Sequence, residues 1–246
     1  MVQGFGCAKR LQKRDQGNNH FATKNMNSYW APLAKQFEEN ANPKKALEMA
    51  KYMKNHFVFY GVSAPQRKEL TRAHLKEHGL PPLEALHDVM LEAWRLPREM
   101  QYSAIEVLVR MRKKLSPDHI PLLETLITTK SWWDTTDGIA PNVLGPILMD
   151  HEDLAGKKIV EWIESGNLWL QRSAILFQLK YKQKLNRELL MLAVDAQLHS
   201  KEFFIRKAMG WVLREYAKTD KAWVIQFVDS RLELSNLTKR EALKHL

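Results

Sequence analysis

A repeat of about 35 residues limits the possible folds of this 246-residue chain more than any other feature of its sequence. Three segments align with apolar residues around a column of small residues, which contains Ala104, Ala174 and Ala208. The intervals are 70 and 34 residues, so a further unit is expected between the first two, near residue 137. Units of this length are typical of α-solenoids, in which pairs of helices stack on neighbouring pairs. The repeat therefore predicts an all-α superhelix.

The position two residues before the small column is mostly basic. Extended to six units, it contains Arg67, Tyr102, Asp137, Arg172, Arg206 and Arg240. Equivalent positions of a solenoid lie along one continuous surface, usually the concave one. Asp137 is then expected as a single carboxylate in the middle of a surface rich in arginine. In the alternative interpretation, these cations form an ordinary solvated face and Asp137 only begins a helix.

A second set of cations follows in the same units. Arg110, Lys180 and Arg214 lie eight residues after the basic column, about 80° further around each helix at 3.6 residues per turn. The chain has 38 Lys and Arg residues against 28 Asp and Glu residues, a net charge of +10. This balance indicates a polyanionic partner, nucleic acid before membrane, with a basic protein that has no such partner as the alternative. We predict a concave basic face.

Motifs and composition exclude several classes of protein. Cys7 is the single cysteine, which rules out an internal disulfide framework and a cysteine metal site. The nine histidines lack ligand spacing, and there is no Gly-rich phosphate loop or catalytic metal or serine motif. We expect neither a metal nor a cofactor. No apolar run approaches the ~20 residues that span a bilayer, and residues 1–26 lack a secretory signal, which predicts a cytoplasmic protein.

The chain divides into a short tail and one helical domain. Residues 1–26 are basic without a helical apolar period, so we predict a flexible tail. An inert extension is favoured over an additional nucleic-acid arm, a transit-like sequence or residues upstream of a natural start at Met26. Residues 27–246 are predicted to form the repeat domain, with few strands. Gly138 is interpreted as a position of close approach between helices, and not as a hairpin turn.

Capping residues and prolines predict where helices begin and end. Ser28 is expected to cap the first helix, and Asn42 with Pro43 to begin a second helix that closes a pair with the first. Pro65 is expected to begin a third helix that stops near His78 and Gly79, where glycine suits the left-handed residue past a helix end. Pro81, Pro97, Pro117 and Pro141 are predicted to mark further helix starts or the entries to them.

Five runs of residues closely resemble the AlkD family of bacterial alkylpurine DNA glycosylases, which are built from HEAT-like helical repeats. These runs are residues 52–57, 129–135, 167–172, 174–184 and 210–218. They occur in the same order as in the family, and the likeness covers about residue 27 to the end of the chain. The resemblance implies a HEAT-like α-solenoid that releases cationic purines alkylated at N3 or N7, such as 3-methyladenine and 7-methylguanine, from double-stranded DNA.

The resemblance also implies roles for individual residues. The family's catalytic positions fall on Asp137, Trp133, Trp211 and Arg172. Its DNA-binding positions fall on Tyr52, Lys68, Lys180 and Arg214. Ser63 and Ala64 replace longer polar residues in the first DNA-facing turn, which implies a different grip on the strand opposite the lesion. The resemblance further implies a monomer that needs no metal or cofactor, in the bacterial cytoplasm and on the nucleoid when bound to DNA.

These residue types suit such a reaction. An alkylated purine is cationic and leaves as a neutral base, so positive charge develops on the sugar, where one carboxylate stabilises it. Indole faces attract cations, and Arg172 is expected to hold a phosphate with its guanidinium. Taken individually, Trp133 and Trp211 would more often be core residues, and the basic residues ordinary surface residues. Four other tryptophans are assigned to packing: Trp94, Trp132, Trp162 and Trp223.

The amino-acid sequence leaves two other functions open. A HEAT-repeat protein without catalytic activity would bind branched or distorted DNA, because one lost side chain converts an enzyme into a binder on the same scaffold. A helical-repeat scaffold would instead bind an acidic protein. Release of a damaged base separates the enzyme from the binder, and a strong salt dependence of affinity separates both from the scaffold.

Overall fold

The computed structural model describes residues 28–245, and this part of the chain contains helices, turns and loops but no β-strand. The predicted all-α class is confirmed. The helices are α1 (Ala31–Glu39), α2 (Pro43–Tyr52), α3 (Ala64–His78), α4 (Leu86–Arg95), α5 (Arg98–Met111), α6 (Ile120–Thr128), α7 (Trp133–Ile139), α8 (Gly145–Leu148), α9 (Glu152–Glu164), α10 (Leu168–Leu176), α11 (Arg187–Asp195), α12 (Phe203–Ala217), α13 (Lys221–Asp229) and α14 (Asn236–Ala242). The predicted tail, residues 1–26, lies outside the described residues. Between residues 28 and 245, no helix has the length and apolar character needed to cross a membrane.

The helices form two rows, as the 35-residue repeat predicts. In the first row, α3, α5, α7, α10, α12 and α14 each contact the next member. The second row lies between them in sequence, and in it α4 contacts α6 and α9 contacts α11. Ala104, Ala174 and Ala208 lie on helices of the first row and are at most 1% exposed. The small column therefore marks where neighbouring repeats pack together.

Three of the tryptophans assigned to packing are core or packing residues. Trp94 and Trp162 are at most 2% exposed. Their indole N–H groups donate to the Leu126 carbonyl at 3.0 Å and to the Glu124 carboxylate at 2.7 Å. A buried indole requires an acceptor of this kind. Trp223 is partly buried and stacks on a phenylalanine ring at 4.8 Å.

Several predicted helix boundaries are confirmed. Asn42 accepts a hydrogen bond from a backbone N–H at 3.0 Å and thereby caps α2. Pro65 lies in the first turn of α3, which ends at Gly79, where φ is +73°. Glycine adopts this left-handed backbone without steric cost. Pro97 immediately precedes α5, and Pro117 begins a 3-10 turn before α6.

Two predicted helix starts are wrong. Ser28 does not cap α1, whose N-cap position is Trp30, because the Ser28 hydroxyl donates to Glu92 on α4 instead. Pro141 does not begin a helix. It lies in a π-helical turn, Ala140–Leu144, that continues α7 into α8. Proline has no backbone N–H for the regular α-helical hydrogen bond, and π turns inside helices are frequent at functional sites.

α2 does not close a pair with α1, contrary to prediction. None of its residues is buried, and Leu47 and Tyr52 are 73% and 70% exposed. The segment that follows is fastened to α5 instead, because the Glu99 carboxylate accepts three backbone N–H groups of residues 60–62 at 2.8–3.2 Å. The Tyr52 ring lies 6.3 Å from that of Trp133. The C-terminal end of α2 therefore lies beside Trp133, one of the predicted catalytic residues.

Candidate active site

α7 presents Trp133 and Asp137 on one face, since residues four apart are neighbours on a helix surface. The glycine after Asp137 lets α7 lie close to α5, because a Cβ atom on Gly138 would be 3.2 Å from the Ile105 side chain. The predicted close approach at Gly138 is confirmed. The Asp137 side chain is 16% exposed. Its carboxylate is therefore neither sealed in the core nor fully solvated.

Arg172 on α10 holds this carboxylate with two hydrogen bonds. Its Nε donates to Oδ1 of Asp137 and its Nη2 to Oδ2, both at 2.8 Å. Its Nη1 donates to the backbone carbonyl of Phe204 on α12. Three of the five N–H donors of Arg172 therefore have acceptors within the chain and orient the carboxylate. That Arg172 also holds a phosphate stays a prediction.

The electrostatic environment of Asp137 combines opposing effects. Burial raises the pKa of the Asp137 carboxyl above its usual value, and the hydrogen bonds and charge of Arg172 oppose that rise. The nearby Asp134 carboxylate raises the pKa further. A charge in a partly dry site is costly unless it is paired, so Arg172 is what makes a carboxylate at this position tolerable.

Arg172 also lines a cavity of about 750 Å³, named here the aromatic cavity. Its lining residues are Glu48, Lys51, Tyr52, Lys54, Trp132, Trp133, Arg172, Phe203, Phe204 and Lys207. Three residues identified from the sequence, Tyr52, Trp133 and Arg172, thus meet in one place. The Tyr52 ring meets Trp133 edge-on at 80°. The cavity therefore combines aromatic rings with four cations and one carboxylate, that of Glu48.

Sequence reasoning missed most of the aromatic cavity. Trp132 was assigned to packing, but it lines the cavity as well as contacting Phe204 and His56, with ring centroids 5.4 and 4.4 Å away. Phe204 lies four residues before the small column, where the other two aligned segments have the apolar residues Met100 and Leu170. No signal in the sequence separated it from the core. Lys207 was also missed because it lies outside both basic columns.

A second cavity of about 540 Å³, the basic cavity, also borders α12. It is lined by Trp211, Arg214, Glu215, Ala217, Lys218, Lys221, Lys244 and His245. The structure therefore does not bring Trp211 into the aromatic cavity with Trp133. Lys207, Trp211 and Arg214 follow each other at intervals of four and three residues, so they share one face of α12. That face connects the two cavities.

Comparison with known proteins identifies the family. A family model described as DNA alkylation repair enzyme matches residues 33–246. The chain belongs to the DNA alkylation repair enzyme family. A solved structure described as a predicted DNA alkylation repair enzyme from Enterococcus faecalis is 33% identical, covers 84% of this chain and 96% of its own, and has a TM-score of 0.77. Comparison with curated proteins finds no match. The family resemblance and the helical-repeat fold are confirmed.

Lys180 of this DNA alkylation repair family member lies close to the helix that carries Asp137. Its Nζ donates to the side-chain oxygen of Asn142 at 2.5 Å, and the Asn142 amide donates to the Gly138 carbonyl at 2.8 Å. Asn142 lies in the π turn, where the regular hydrogen-bond pattern is interrupted. This chain of contacts connects an exposed cation to the backbone beside Asp137.

Ser63 and Ala64, the two residues predicted to change the grip on the opposite strand, lie at the start of α3. Ser63 occupies the N-cap position without a side-chain capping hydrogen bond, and Ala64 is exposed. Lys68 lies one turn further along α3 and is also exposed. It lines neither the aromatic nor the basic cavity.

A buried ion pair supports α7 from the side of α5. Arg98 is fully buried and donates to both oxygens of Asp134, at 3.0 and 2.5 Å. Tyr102 donates to the same carboxylate at 2.6 Å. The guanidinium lies 3.7 Å from the centre of the Phe57 ring. α7 therefore carries two carboxylates one turn apart, of which Asp134 is structural and Asp137 faces Arg172.

Proposed function

We propose that this family member is a monofunctional DNA glycosylase. It hydrolyses the bond between deoxyribose and a purine alkylated at N3 or N7 in duplex DNA, acts as a monomer and leaves the strand intact. The observation that carries the proposal is the Asp137 carboxylate, fixed by Arg172 beside a cavity of aromatic rings. Membership of a DNA alkylation repair family supports the substrate class.

The proposed reaction depends on a negative charge near the sugar more than on a proton donor for the leaving base. When the bond between C1′ and the purine nitrogen breaks, its electron pair neutralises the positive charge of the alkylated base, which leaves without added protons. The sugar gains cationic character, which Asp137 stabilises while it orients a water molecule. Water then adds to C1′ and releases its proton to the solvent. No step requires a metal, and residues 28–245 contain no group of three His, Cys, Asp or Glu side chains placed to bind one.

The attraction between the Asp137 carboxylate and the cationic sugar is large enough to accelerate base release. Opposite unit charges about 4 Å apart at an effective dielectric constant of roughly 20 attract by about 4 kcal/mol. At about 1.36 kcal/mol per tenfold, this corresponds to roughly a thousandfold in rate. The positive charge of Arg172, 2.8 Å from the same oxygens, offsets part of that attraction. Its contribution is orientation, because a carboxylate held before the reaction needs no reorganisation during it.

The two cavities supply contacts for the damaged nucleotide and the backbone. The indole of Trp133 attracts a cationic base, with about 0.5–2 kcal/mol for each such contact. Lys51, Lys54 and Lys207 in the aromatic cavity and Arg214 in the basic cavity offer cations to phosphates. In this arrangement the DNA backbone passes along α12, and Trp211 contacts a nucleotide beside the one that reacts.

A base-release assay tests the proposal. Methylated duplex DNA incubated with the protein should lose free 7-methylguanine and 3-methyladenine. Asp137→Asn keeps the side-chain size but removes its charge, so release should fall at least about a hundredfold while DNA affinity is retained. Asp153→Asn, an exposed change on α9, serves as the control. Binding without release by the natural protein would instead indicate the noncatalytic binder of distorted DNA, and affinity independent of salt would contradict both functions.

A further inference from the structure

Two cations of the proposed DNA-binding face are already paired with an acid of the same chain. Glu241 on α14 forms one ion pair with Lys207 at 2.9 Å and another with Arg214 at 2.7 Å. Lys207 lines the aromatic cavity and Arg214 lines the basic cavity. Glu241 therefore lies between the two cavities and neutralises one cation of each.

Contacts other than this carboxylate also dock α14 on α12. A Cβ atom on Gly210 of α12 would lie 2.4 Å from the Cβ of Glu241, so a glycine is what allows the two helices to approach. Thr238 and Ala242 on α14 are fully buried, and the Thr238 hydroxyl donates to the Arg206 carbonyl at 3.2 Å. These contacts hold α14 in place through packing and a neutral hydrogen bond. The negative charge at position 241 adds two ion pairs to this packing and places an acid among the cations of α12.

The three side chains remain within reach of solvent and therefore of a ligand. Lys207 is 36% exposed, Arg214 25% and Glu241 13%. Hydrogen bonds from Lys207, followed by those from Arg214, lower the pKa of the Glu241 carboxyl below its usual value. Glu241 thus stays ionised over the pH range in which DNA is studied. A carboxylate and a phosphate oxygen are equivalent acceptors for lysine and arginine.

We propose that Glu241 acts as an internal substitute for a DNA phosphate. It pairs with Lys207 and Arg214 before DNA binds, and the DNA backbone must displace it to reach these two cations. This inference rests on the proposed function, because it requires that DNA passes along α12. The consequence is weaker binding to undamaged DNA. A damaged nucleotide compensates through its contacts in the aromatic cavity, so Glu241 increases the selectivity of the protein for damaged sites.

The variant Glu241→Gln tests this inference because it keeps the shape of the side chain and removes its charge. Its affinity for undamaged duplex DNA should rise about two- to fivefold for each ion pair that no longer has to break. The slope of log affinity against log salt should become steeper by about 0.9 for each additional phosphate that the protein neutralises. Glu161→Gln is the matched control. It removes the same charge from an ion pair with Lys158 that borders neither cavity, and it should leave the slope unchanged.

Lys207→Gln provides a second measurement in the same assay. In the natural protein this change should weaken binding by the smaller factor, because the phosphate contact of Lys207 is partly offset by the loss of its pair with Glu241. In the Glu241→Gln background it should cost more, since the lysine is then free to bind a phosphate. The two sites are in direct contact, so their effects should not be additive. Equal effects of Lys207→Gln in both backgrounds would contradict the competition between Glu241 and DNA.

The outcomes are distinguishable. If Glu241→Gln is folded by circular dichroism but binds DNA with the same or lower affinity and an unchanged salt slope, the inference is overturned while the proposed function stands. If the natural protein shows no salt-dependent binding to DNA, both are overturned. Should Glu241→Gln fail to fold, Glu241→Asp carries the same test. It withdraws the carboxylate from both cations by one methylene group, so a smaller rise in affinity is expected and an unchanged affinity counts against the inference.

Discussion

Arg172 and Asp137 lie 35 residues apart, one repeat of the solenoid, and are joined by two parallel hydrogen bonds of 2.8 Å. The third nitrogen of the same guanidinium donates to Phe204, 32 residues further along the chain. Three consecutive helices of the first row, α7, α10 and α12, are therefore tied together at the candidate catalytic carboxylate. The repeat places the two charges in adjacent units, and the guanidinium sets the direction in which the carboxylate points.

Arg172→Lys should lower the turnover number of base release. Lysine keeps the charge but cannot bond both carboxylate oxygens in parallel, so the carboxylate gains rotational freedom, which we expect to cost about ten- to a hundredfold. The Michaelis constant should change little if the hydrogen bonds to Asp137 and Phe204 are the whole role of Arg172. Single-turnover and steady-state kinetics measure the two effects. Arg206→Lys, the next member of the same column, is the control. A raised Michaelis constant with normal turnover would indicate a phosphate contact after all.

The pH dependence of base release should report the raised pKa of Asp137. Catalysis requires the carboxylate form, so the rate falls as pH drops through this pKa and is constant above it. Burial raises the pKa, and the acid limb should therefore lie above the value of about 3.9 found for an ordinary aspartate. Rates at saturating substrate, corrected for spontaneous base loss, measure the limb. Asp137→Asn should lack it, and a limb at or below the ordinary value would contradict the environment described here.

Lys180→Gln should weaken DNA binding to the same degree for damaged and undamaged duplexes. A lysine that contacts phosphate contributes charge without reading the base, and its loss should reduce the salt slope by about 0.9. Fluorescence anisotropy over a series of salt concentrations measures this slope. Lys35→Gln changes the net charge equally at an exposed ion pair with Glu39 on α1, and should leave the slope unchanged. Equal slopes for both variants would place DNA elsewhere on the surface.

Asp134→Asn should destabilise the fold by about 3–5 kcal/mol, because it leaves the guanidinium of Arg98 buried without its anion. Arg98 is 0% and Asp134 7% exposed, so water cannot replace the lost partner. Asp195→Asn breaks an ion pair with Arg231 in which the aspartate is 42% exposed, and it should cost no more than about 1 kcal/mol. Urea denaturation of both variants measures the difference. Similar losses of stability would mean that the Arg98 pair is hydrated in solution.

Much of the fold follows from local patterns in the amino-acid sequence. The small column of Ala104, Ala174 and Ala208 predicts two rows of helices, because repeated small residues mark repeated contacts between neighbouring units. Asn42 and Gly79 identify helix ends through hydrogen bonds and backbone conformations that involve only nearby residues. The family resemblance lies in the same continuous runs. The roles that this resemblance implies for Asp137, Trp133, Trp211 and Arg172 stay predictions until base release is measured.

The partners of the site residues were not accessible from local patterns, because they depend on packing between helices that lie a full repeat or more apart. Nothing in the order of residues showed that Arg172 bonds the Asp137 carboxylate, or that Trp132 borders one cavity while Trp211 borders another. The exposed face of α2 and the position of Glu241 between two cavities could not be predicted for the same reason. A repeat determines which residues occupy equivalent positions, whereas side-chain direction and the distance between helices determine which of them meet.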